Sequence, residues 1–162
     1  IGLCLVGSEM CIRDRVSLVT GGFDPIHSGH IRYFERAKDL SNYLVVDLNG
    51  DPWLTRKKGQ YFQSWTERAD IIRHLNMVDA VVSWDDVDDS ACGAIEKCLE
   101  ISQTVVFCNG GDRAKGNTPE LDKFGNNDRV KFEWAVGGTE KMNSSSWILH
   151  GYFERQRKLL GI

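Results

Sequence analysis

The chain has 162 residues and a formal net charge of −3, which supports one domain and provides no broad basic surface for nucleic acid. Hydrophobic residues make up 41% and charged residues 27%, as in globular proteins, and no apolar run approaches the roughly 20 residues of a membrane span. The five cysteines include no Cys-x-x-Cys pair, which disfavours a zinc cage or dithiol site and favours a reducing, cytoplasmic location.

Residues 1–15 do not fit the pattern of the remaining chain. They lack an initiator methionine at the first position and the features of a signal peptide. The string Val-Gly-Ser-Glu-Met-Cys-Ile-Arg-Asp-Arg at residues 6–15 resembles translated sequencing-adapter read-through. We therefore expect residues 1–15 to be a non-native or disordered segment and residues 16–162 to form a single domain.

From residue 16 onward, short apolar strands alternate with helical patterns. The predicted strands are Val16–Thr20, Tyr43–Leu48, Ala80–Trp84, Thr104–Cys108 and Val130–Val136. Apolar stripes and capping residues predict helices through 31–40, from Ser64 to Leu75, over Ala91–Leu99, and from Ser144 or Ser145 toward Gly161. This alternation predicts an α/β fold, a doubly wound five-stranded parallel sheet with helices on both faces. Ligands of such sheets bind beyond the carboxyl ends of the strands.

Two later segments have patterns of their own. In Val130–Val136 the apolar residues Val130, Phe132, Trp134 and Val136 alternate with Lys131 and Glu133. Strict alternation places all four on one face of a strand near the edge of the sheet. The segment 109–129 is too long for a simple connection, so we expect it to be functional or disordered.

The first strand is joined to the first helix by Gly-Gly-Phe-Asp-Pro-Ile-His-Ser-Gly-His, residues 21–30. His27 and His30 are three apart and lie on one side of the first helical turn. Two imidazoles beside free backbone N–H groups and the positive end of a helix favour a phosphate site, and Gly29 allows close approach to the backbone. The alternatives are histidines hydrogen-bonded in a loop or bound to zinc, for which no further ligands are evident. Neither Gly-x-Gly-x-x-Gly nor the P-loop pattern occurs in the chain.

The motif His27-Ser28-Gly29-His30, preceded by Gly22-Phe23-Asp24, resembles the His-x-Gly-His signature of the cytidylyltransferase-like nucleotidyltransferases. The resemblance extends from Val16 to about Leu149, and the similar branches are the glycerol-3-phosphate cytidylyltransferases and the heptose-1-phosphate adenylyltransferases. It implies a Rossmann-like fold and transfer of NMP from an NTP to a phosphate monoester, with release of pyrophosphate. It also implies Mg²⁺ bound with the NTP, no organic cofactor, and a homodimer as one form of assembly.

The resemblance implies roles for particular residues. The implied catalytic residues are His27, His30 and one of Lys57 and Lys58, although the run Arg56–Gly59 alone would read as a solvated basic loop. The implied nucleotide-binding residues are Gly21, Gly22, Phe23, Gly29, Gly111, Asp112, Arg113, Ser144, Ser145 and Ser146. Asp24 and Arg68 are expected to bind the acceptor substrate, with a tie between helix and sheet as the alternative for Arg68. No protein metal site is expected.

The resemblance favours CTP as the nucleotide donor, with ATP as the alternative. His-Ser-Gly-His and Arg-Lys-Lys-Gly favour CTP, whereas Asn109-Gly110-Gly111-Asp112 is similar to the ATP-using heptose branch. Thr139 stands where the glycerol-phosphate enzymes have an arginine, so Arg113 or Lys141 is expected to supply that charge. The expected acceptor is a small sugar, polyol or amino-alcohol phosphate, with no nucleic-acid or membrane partner. A non-catalytic nucleotide-binding module is the competing hypothesis.

Overall fold

A central parallel sheet organises the chain. The computed structural model describes residues 13–84, 87–110, 118–138 and 143–162. The elements in chain order are β1 (Arg13–Gly21), α1 (Ser28–Asp39), β2 (Tyr43–Leu48), α2 (Asp51–Lys58), α3 (Trp65–Arg73), β3 (Ala80–Val82), α4 (Cys92–Ile101), β4 (Ser102–Gly110), α5 (Pro119–Phe124), β5 (Val130–Val136) and α6 (Ser145–Leu160). The five strands run parallel in the order β3-β2-β1-β4-β5, which confirms the predicted Rossmann-like, doubly wound sheet.

Helices cover both faces of the sheet, and each face has its own apolar cluster. On one face Phe34 of α1 and Ile72 of α3 pack against β1 and β2. On the other face Ile95 of α4 and Phe124 of α5 pack against β1 and β4. The inner strands are therefore apolar along both faces, which explains why their sequences read as continuous apolar runs.

Strand β1 begins at Arg13, three residues before the predicted strand and inside the segment expected to be non-native or disordered. Arg13 and Arg15 pair with Ser102 and Thr104 of β4. Backbone pairing with a long neighbour extends β1 beyond its apolar part, which side-chain pattern alone does not reveal. Residues 1–12 lie outside the described part of the chain, so their proposed origin stays a prediction.

Strand β5 lies at the edge of the sheet, as its alternating sequence indicates. The prediction that its four apolar residues share one face is wrong for Val136. Val130 packs in the cluster on one face, whereas Val136 packs in the cluster on the other. The pairing with β4 shifts between Cys108 and Gly110, and Ala135 has a φ of 56°. This irregularity inserts an extra residue and reverses the side-chain alternation after it.

Two helices were not predicted. Helix α2 contains Arg56, Lys57 and Lys58, which the sequence suggested as a basic loop, and it buries only Leu54, so it has no apolar stripe. Helix α5 lies within the long segment 109–129 and is capped by the Thr118 side chain, which accepts from the Leu121 N–H. In the described ranges, no helix combines the length and the apolar character needed to cross a bilayer.

Candidate active site

The turn between β1 and α1 lies at the centre of the sheet. The chain passes from β1 to β2 and β3 on one side, and later adds β4 and β5 on the other. The order therefore reverses between β1 and β4, and the carboxyl ends of these neighbouring strands form the crevice where ligands of doubly wound sheets bind. The segment with His27 and His30 starts from this point.

The two histidines form a reciprocal cap at the start of α1. Nδ1 of His27 accepts a hydrogen bond from the Gly29 backbone N–H, with a donor-to-acceptor distance of 3.1 Å. Nδ1 of His30 accepts from the His27 backbone N–H at 3.3 Å, and the two rings stack with their centroids 3.7 Å apart. Because both Nδ1 atoms are acceptors, we assign the proton of each neutral ring to Nε2. The cap thus fixes two N–H donors side by side.

Both histidines are neutral near pH 7. Burial lowers the pKa of His27. Burial lowers the pKa of His30 to about 3, with smaller contributions from the charges of His27 and Lys58. A lowered pKa favours the uncharged imidazole. The pair therefore donates hydrogen bonds without adding positive charge, and any cation that neutralises a phosphate must come from another residue.

Phe23 and Gly29 hold these imidazoles in place. Phe23 is buried, and its ring makes edge contacts with His30 at 5.0 Å and with Phe34 at 4.9 Å between centroids. Its side chain therefore supports His30 from within the core, and the expected role of Phe23 in nucleotide binding stays a prediction. A Cβ at Gly29 would lie 2.9 Å from Cε1 of His27, so glycine allows the His27 ring to fold over the backbone.

Arg68 was predicted to bind the acceptor, and the structure corrects this. Its side chain is completely buried and forms an ion pair with Asp51 at 2.6 Å. It also donates to the carbonyl oxygens of Gly22, Asn49 and Gln63. Because these contacts use its guanidinium inside the protein, Arg68 ties α3 to the ends of β1 and β2, which is the alternative that the sequence left open.

Asp24 also has a structural role in place of the predicted one. It is 2% exposed, and its two carboxylate oxygens accept from the backbone N–H groups of Phe62 and Gln63 at 2.6 and 2.8 Å. Charge-assisted hydrogen bonds of this length are strong. Asp24 therefore holds the segment that follows α2 against the turn after β1.

The structure distinguishes the two candidate lysines. Lys57 forms an ion pair with Asp89 at 2.9 Å, and Arg56 contacts the same carboxylate. Lys58 lines the cleft described below, has no ion-pair partner among the residues described, and lies close enough to affect the pKa of His30. Lys58 is therefore the lysine directed to the same site as the histidines.

The three serines at the start of α6 have different environments. Ser144 is the N-cap, and its hydroxyl oxygen accepts from the Trp147 N–H at 3.1 Å. The hydroxyl of Ser145 donates to the Pro25 carbonyl at 2.8 Å, which fastens α6 to the turn after β1. Ser146 lines the cleft. The helix thus brings its first-turn N–H groups, which lack intrahelical acceptors, toward the site.

A cleft of about 500 Å³ opens between the end of α2 with the segment after it and the first half of α6. Its lining residues are Asp24, Lys58, Gln60, Tyr61, Phe62, Ser146, Leu149 and Phe153. Sequence reasoning missed the aromatic part of this lining. The available signal was Tyr61-Phe62, an aromatic pair beside a basic run in a segment without strand or helix periodicity.

Some predicted site residues cannot be placed. Gly111, Asp112 and Arg113 lie outside the described residues, as do Thr139 and Lys141. Within the ranges that are described, no group of three or more histidine, cysteine, aspartate or glutamate side chains is arranged to hold a metal ion.

Comparison with known proteins places this site in a family. The bifunctional protein HldE of Pelobacter propionicus is 33% identical over 160 residues, covering 91% of this chain and 30% of HldE. HldE of Geobacter metallireducens is 29% identical over 159 residues, with 93% and 30% coverage. The FAD synthase of Thermococcus sibiricus is 40% identical over 99 residues, or 60% of this chain and 64% of that protein. The chain thus spans about 30% of the length of these HldE relatives.

A solved structure shows the same fold. The crystal structure of the lipopolysaccharide core biosynthesis protein from Thermoplasma volcanium superposes with a TM-score of 0.55 and 26% identity, and covers 75% of this chain and 93% of that one. The family described as Cytidylyltransferase-like matches residues 18–124, a range that contains the histidine cap and Lys58. The chain therefore belongs to the cytidylyltransferase-like family of nucleotidyltransferases.

Proposed function

We propose that this chain transfers a nucleotidyl group from an NTP to a phosphate monoester and releases pyrophosphate. The observation that carries this proposal is the stacked pair of neutral imidazoles, each with Nδ1 occupied and Nε2–H available as a donor. Lys58 and the start of α6 lie beside the same turn. Membership of the nucleotidyltransferase family supports the reaction class.

The reaction is an in-line displacement at phosphorus. An oxygen of the acceptor phosphate attacks the α-phosphorus of the NTP, and a new phosphorus–oxygen bond forms. The bond from the α-phosphorus to the oxygen that bridges to the β-phosphate breaks, and pyrophosphate leaves with that electron pair. The attacking oxygen is already ionised, so neither a covalent enzyme nucleophile nor a general base is required. Positioning and electrostatic stabilisation supply the catalysis.

The histidines act as hydrogen-bond donors to the reacting phosphate. His27 and His30 bind oxygens of the α-phosphate and the bridging oxygen through Nε2–H. Because the pKa of each is lowered, they donate as neutral rings and do not act as general acids near pH 7. Fixed donors stabilise charge that increases in the transition state, since they need no reorganisation when it develops.

Lys58 and the start of α6 bind different phosphates. Lys58 supplies the positive charge that the neutral histidines lack, between the α-phosphate and the acceptor phosphate. The Ser146 hydroxyl and the first N–H groups of α6 bind the β- and γ-phosphates, where the helix dipole favours negative charge. Ser144 and Ser145 position this helix through their own hydrogen bonds. Gly21 and Gly22 form the adjacent floor of the nucleotide site.

Magnesium would be brought to the site by the nucleotide. The described residues provide no carboxylate group for a resident ion, and both oxygens of Asp24 already accept backbone hydrogen bonds. Magnesium in nucleotide enzymes is held largely by phosphate oxygens and water. When bound with the NTP, it would supply neutralising charge to the triphosphate.

The relatives bear on the choice of nucleotide. The resemblance in the His-Ser-Gly-His motif favours CTP. The FAD synthase relative makes, by its name, a product that contains an adenylate group, and its 40% identity favours ATP as the donor. Gly110 and the two residues after it in the sequence point the same way. We therefore place ATP first and CTP second.

The test is pyrophosphate release with Mg²⁺ and each of the four NTPs, against a pool of phosphate monoesters. Release with ATP alone or CTP alone supports the proposal and identifies the donor. If thermal stabilisation by an NTP is clear and no pyrophosphate appears with any acceptor, the proposal fails and a nucleotide-binding module remains. Stabilisation of about 2.7 kcal/mol is expected at 100 times the dissociation constant.

A further inference from the structure

The cleft beside Lys58 carries an inference about the acceptor. Its lining divides by chemistry. Lys58 and Ser146 contribute a cation and a hydroxyl, whereas Tyr61, Phe62, Leu149 and Phe153 contribute apolar surface. Ser146, Leu149 and Phe153 are three and seven residues apart on α6, so they share one face of that helix.

The aromatic rings are exposed without being part of the core. Tyr61 is 46% exposed, Phe62 56% and Phe153 50%. Exposed aromatic side chains gathered around a concave surface mark a ligand site, because ligand pockets combine apolar walls with a few polar groups that fix orientation. The volume of about 500 Å³ lies within the range of about 300–1,000 Å³ that such pockets show.

The cleft is held in a fixed shape. Asp24 accepts hydrogen bonds from the backbone of Phe62 and Gln63, and the neighbouring Pro25 carbonyl accepts from Ser145 of α6. One dipeptide therefore anchors both walls. This dipeptide lies in the same turn after β1 as His27, so it also fixes the position of both walls relative to the histidine cap.

The described residues of the lining offer few polar groups to a polyol or sugar. Lys58 and Ser146 are directed to phosphates, and each Asp24 oxygen already accepts a backbone N–H. Gln60 and the hydroxyl of Tyr61 are the other polar side-chain groups of the lining among the described residues. A buried hydroxyl without a partner costs free energy, so an acceptor with several hydroxyl groups fits poorly. The positive charge of Lys58 disfavours an acceptor with a cationic body.

We propose that this cleft is the acceptor site and that it binds a phosphate monoester whose body is a planar aromatic group. The phosphate lies toward Lys58, and the ring lies between Tyr61 and Phe62 on one wall and Phe153 on the other. This inference rests on the proposed function and names a different acceptor from the sugar, polyol or amino-alcohol phosphate expected from the sequence. The bonds that form and break are those of nucleotidyl transfer described above.

The experiment compares 1-naphthyl phosphate with glycerol 3-phosphate, glucose 1-phosphate and phosphocholine as acceptors, with pyrophosphate release as the readout. We expect kcat/KM to be highest for 1-naphthyl phosphate. Phe153→Ala should raise KM for this acceptor about tenfold, as expected for the loss of an aromatic contact. Leu159→Ala removes an apolar side chain that is 79% exposed on the same helix, lies outside the cleft lining, and should leave KM unchanged.

The outcomes separate this inference from the proposed function. If the polar acceptors react and 1-naphthyl phosphate neither reacts nor competes, the aromatic site is refuted and the reaction class stands. If no acceptor reacts, nucleotidyl transfer fails, and calorimetric titration with 1-naphthyl phosphate decides on the cleft. Binding that Phe153→Ala weakens about tenfold supports the aromatic phosphate site, and no binding overturns it. A dimer that Phe153→Ala dissociates in sedimentation also overturns it, since the cleft would then be a subunit interface.

Discussion

Replacing His30 with glutamine separates its two contributions. In the structure Nδ1 of His30 accepts from the His27 backbone N–H, and its Nε2–H is the proposed phosphate donor. Glutamine at this third helical position is the usual partner in a capping box and can accept the same backbone hydrogen bond. Its amide NH2 can still donate, but on a flexible chain that does not hold it at the position of the His30 Nε2–H. His30→Gln therefore keeps the cap and loses the preorganised donor, whereas His30→Ala loses the cap and every donor.

The expected magnitudes differ for activity and stability. Removal of one preorganised donor to a developing oxyanion lowers kcat about 100-fold to 1,000-fold, and both variants should show this loss. The cap contributes about 1 kcal/mol, which corresponds to about 2–4 °C in Tm for a chain of this size. Both variants lose the edge contact with Phe23, so His30→Ala should melt lower than His30→Gln by about this amount.

The assay is pyrophosphate release at saturating NTP and acceptor, with Tm measured on the same samples. Ser28→Ala is the matched control, because Ser28 is an exposed residue in the same turn of α1. A His30→Ala variant with a kcat within about threefold of wild type would refute the donor role, since one lost donor should cost far more.

Three further predictions follow from described contacts. Because the folded pKa of His30 is about 3 and an unfolded histidine titrates near 6.5, the unfolded state takes up the proton first. The free energy of unfolding measured in urea should therefore fall as pH drops from about 6.5 toward 3, by up to about 1.4 kcal/mol per pH unit from this group. If the difference in free energy of unfolding between wild type and His30→Gln does not change with pH, this prediction is wrong. Lys58→Met should lower kcat about 100-fold or more. Lys57→Met removes an exposed ion pair with Asp89 and should change kcat by less than about threefold. Equal losses of pyrophosphate release in the two variants would contradict the distinction between the lysines. Asp24→Asn should lower the free energy of unfolding by about 2 kcal/mol, because a buried acceptor of two backbone N–H groups loses its charge, and unchanged urea denaturation would refute that role.

The sheet and the histidine motif were accessible from sequence because each has a strong local signature. Strands β2 and β5 begin and end at the predicted residues, since β2 is a nearly continuous apolar run and β5 shows a clear alternation of apolar and charged residues. Helix α2 was missed because it buries one residue and so leaves no periodic pattern. Consecutive glycines and histidines after a strand led to the proposed phosphate site, since few other arrangements need those residue types together.

Long-range contacts account for what the sequence did not predict. The local sequence does not show that Asp24 accepts hydrogen bonds from the backbone of Phe62 and Gln63. It also does not show that the guanidinium of Arg68 binds three carbonyl groups and Asp51. Both residues were predicted to bind substrate because the sequence around a charged residue does not show whether its side chain faces a ligand or the protein interior. The choice between Lys57 and Lys58 likewise depends on Asp89, which is distant in the chain.

The anchoring of the cleft through main-chain atoms has a consequence for how acceptor preference can change. The bonds from Asp24 end on the backbone N–H groups of Phe62 and Gln63, and the bond from Ser145 ends on the Pro25 carbonyl. The side chains of Tyr61, Phe62 and Phe153 take no part in these bonds. Their identity can therefore vary while the walls keep their position, so the same phosphate chemistry can be redirected to a new acceptor by a few substitutions at these positions.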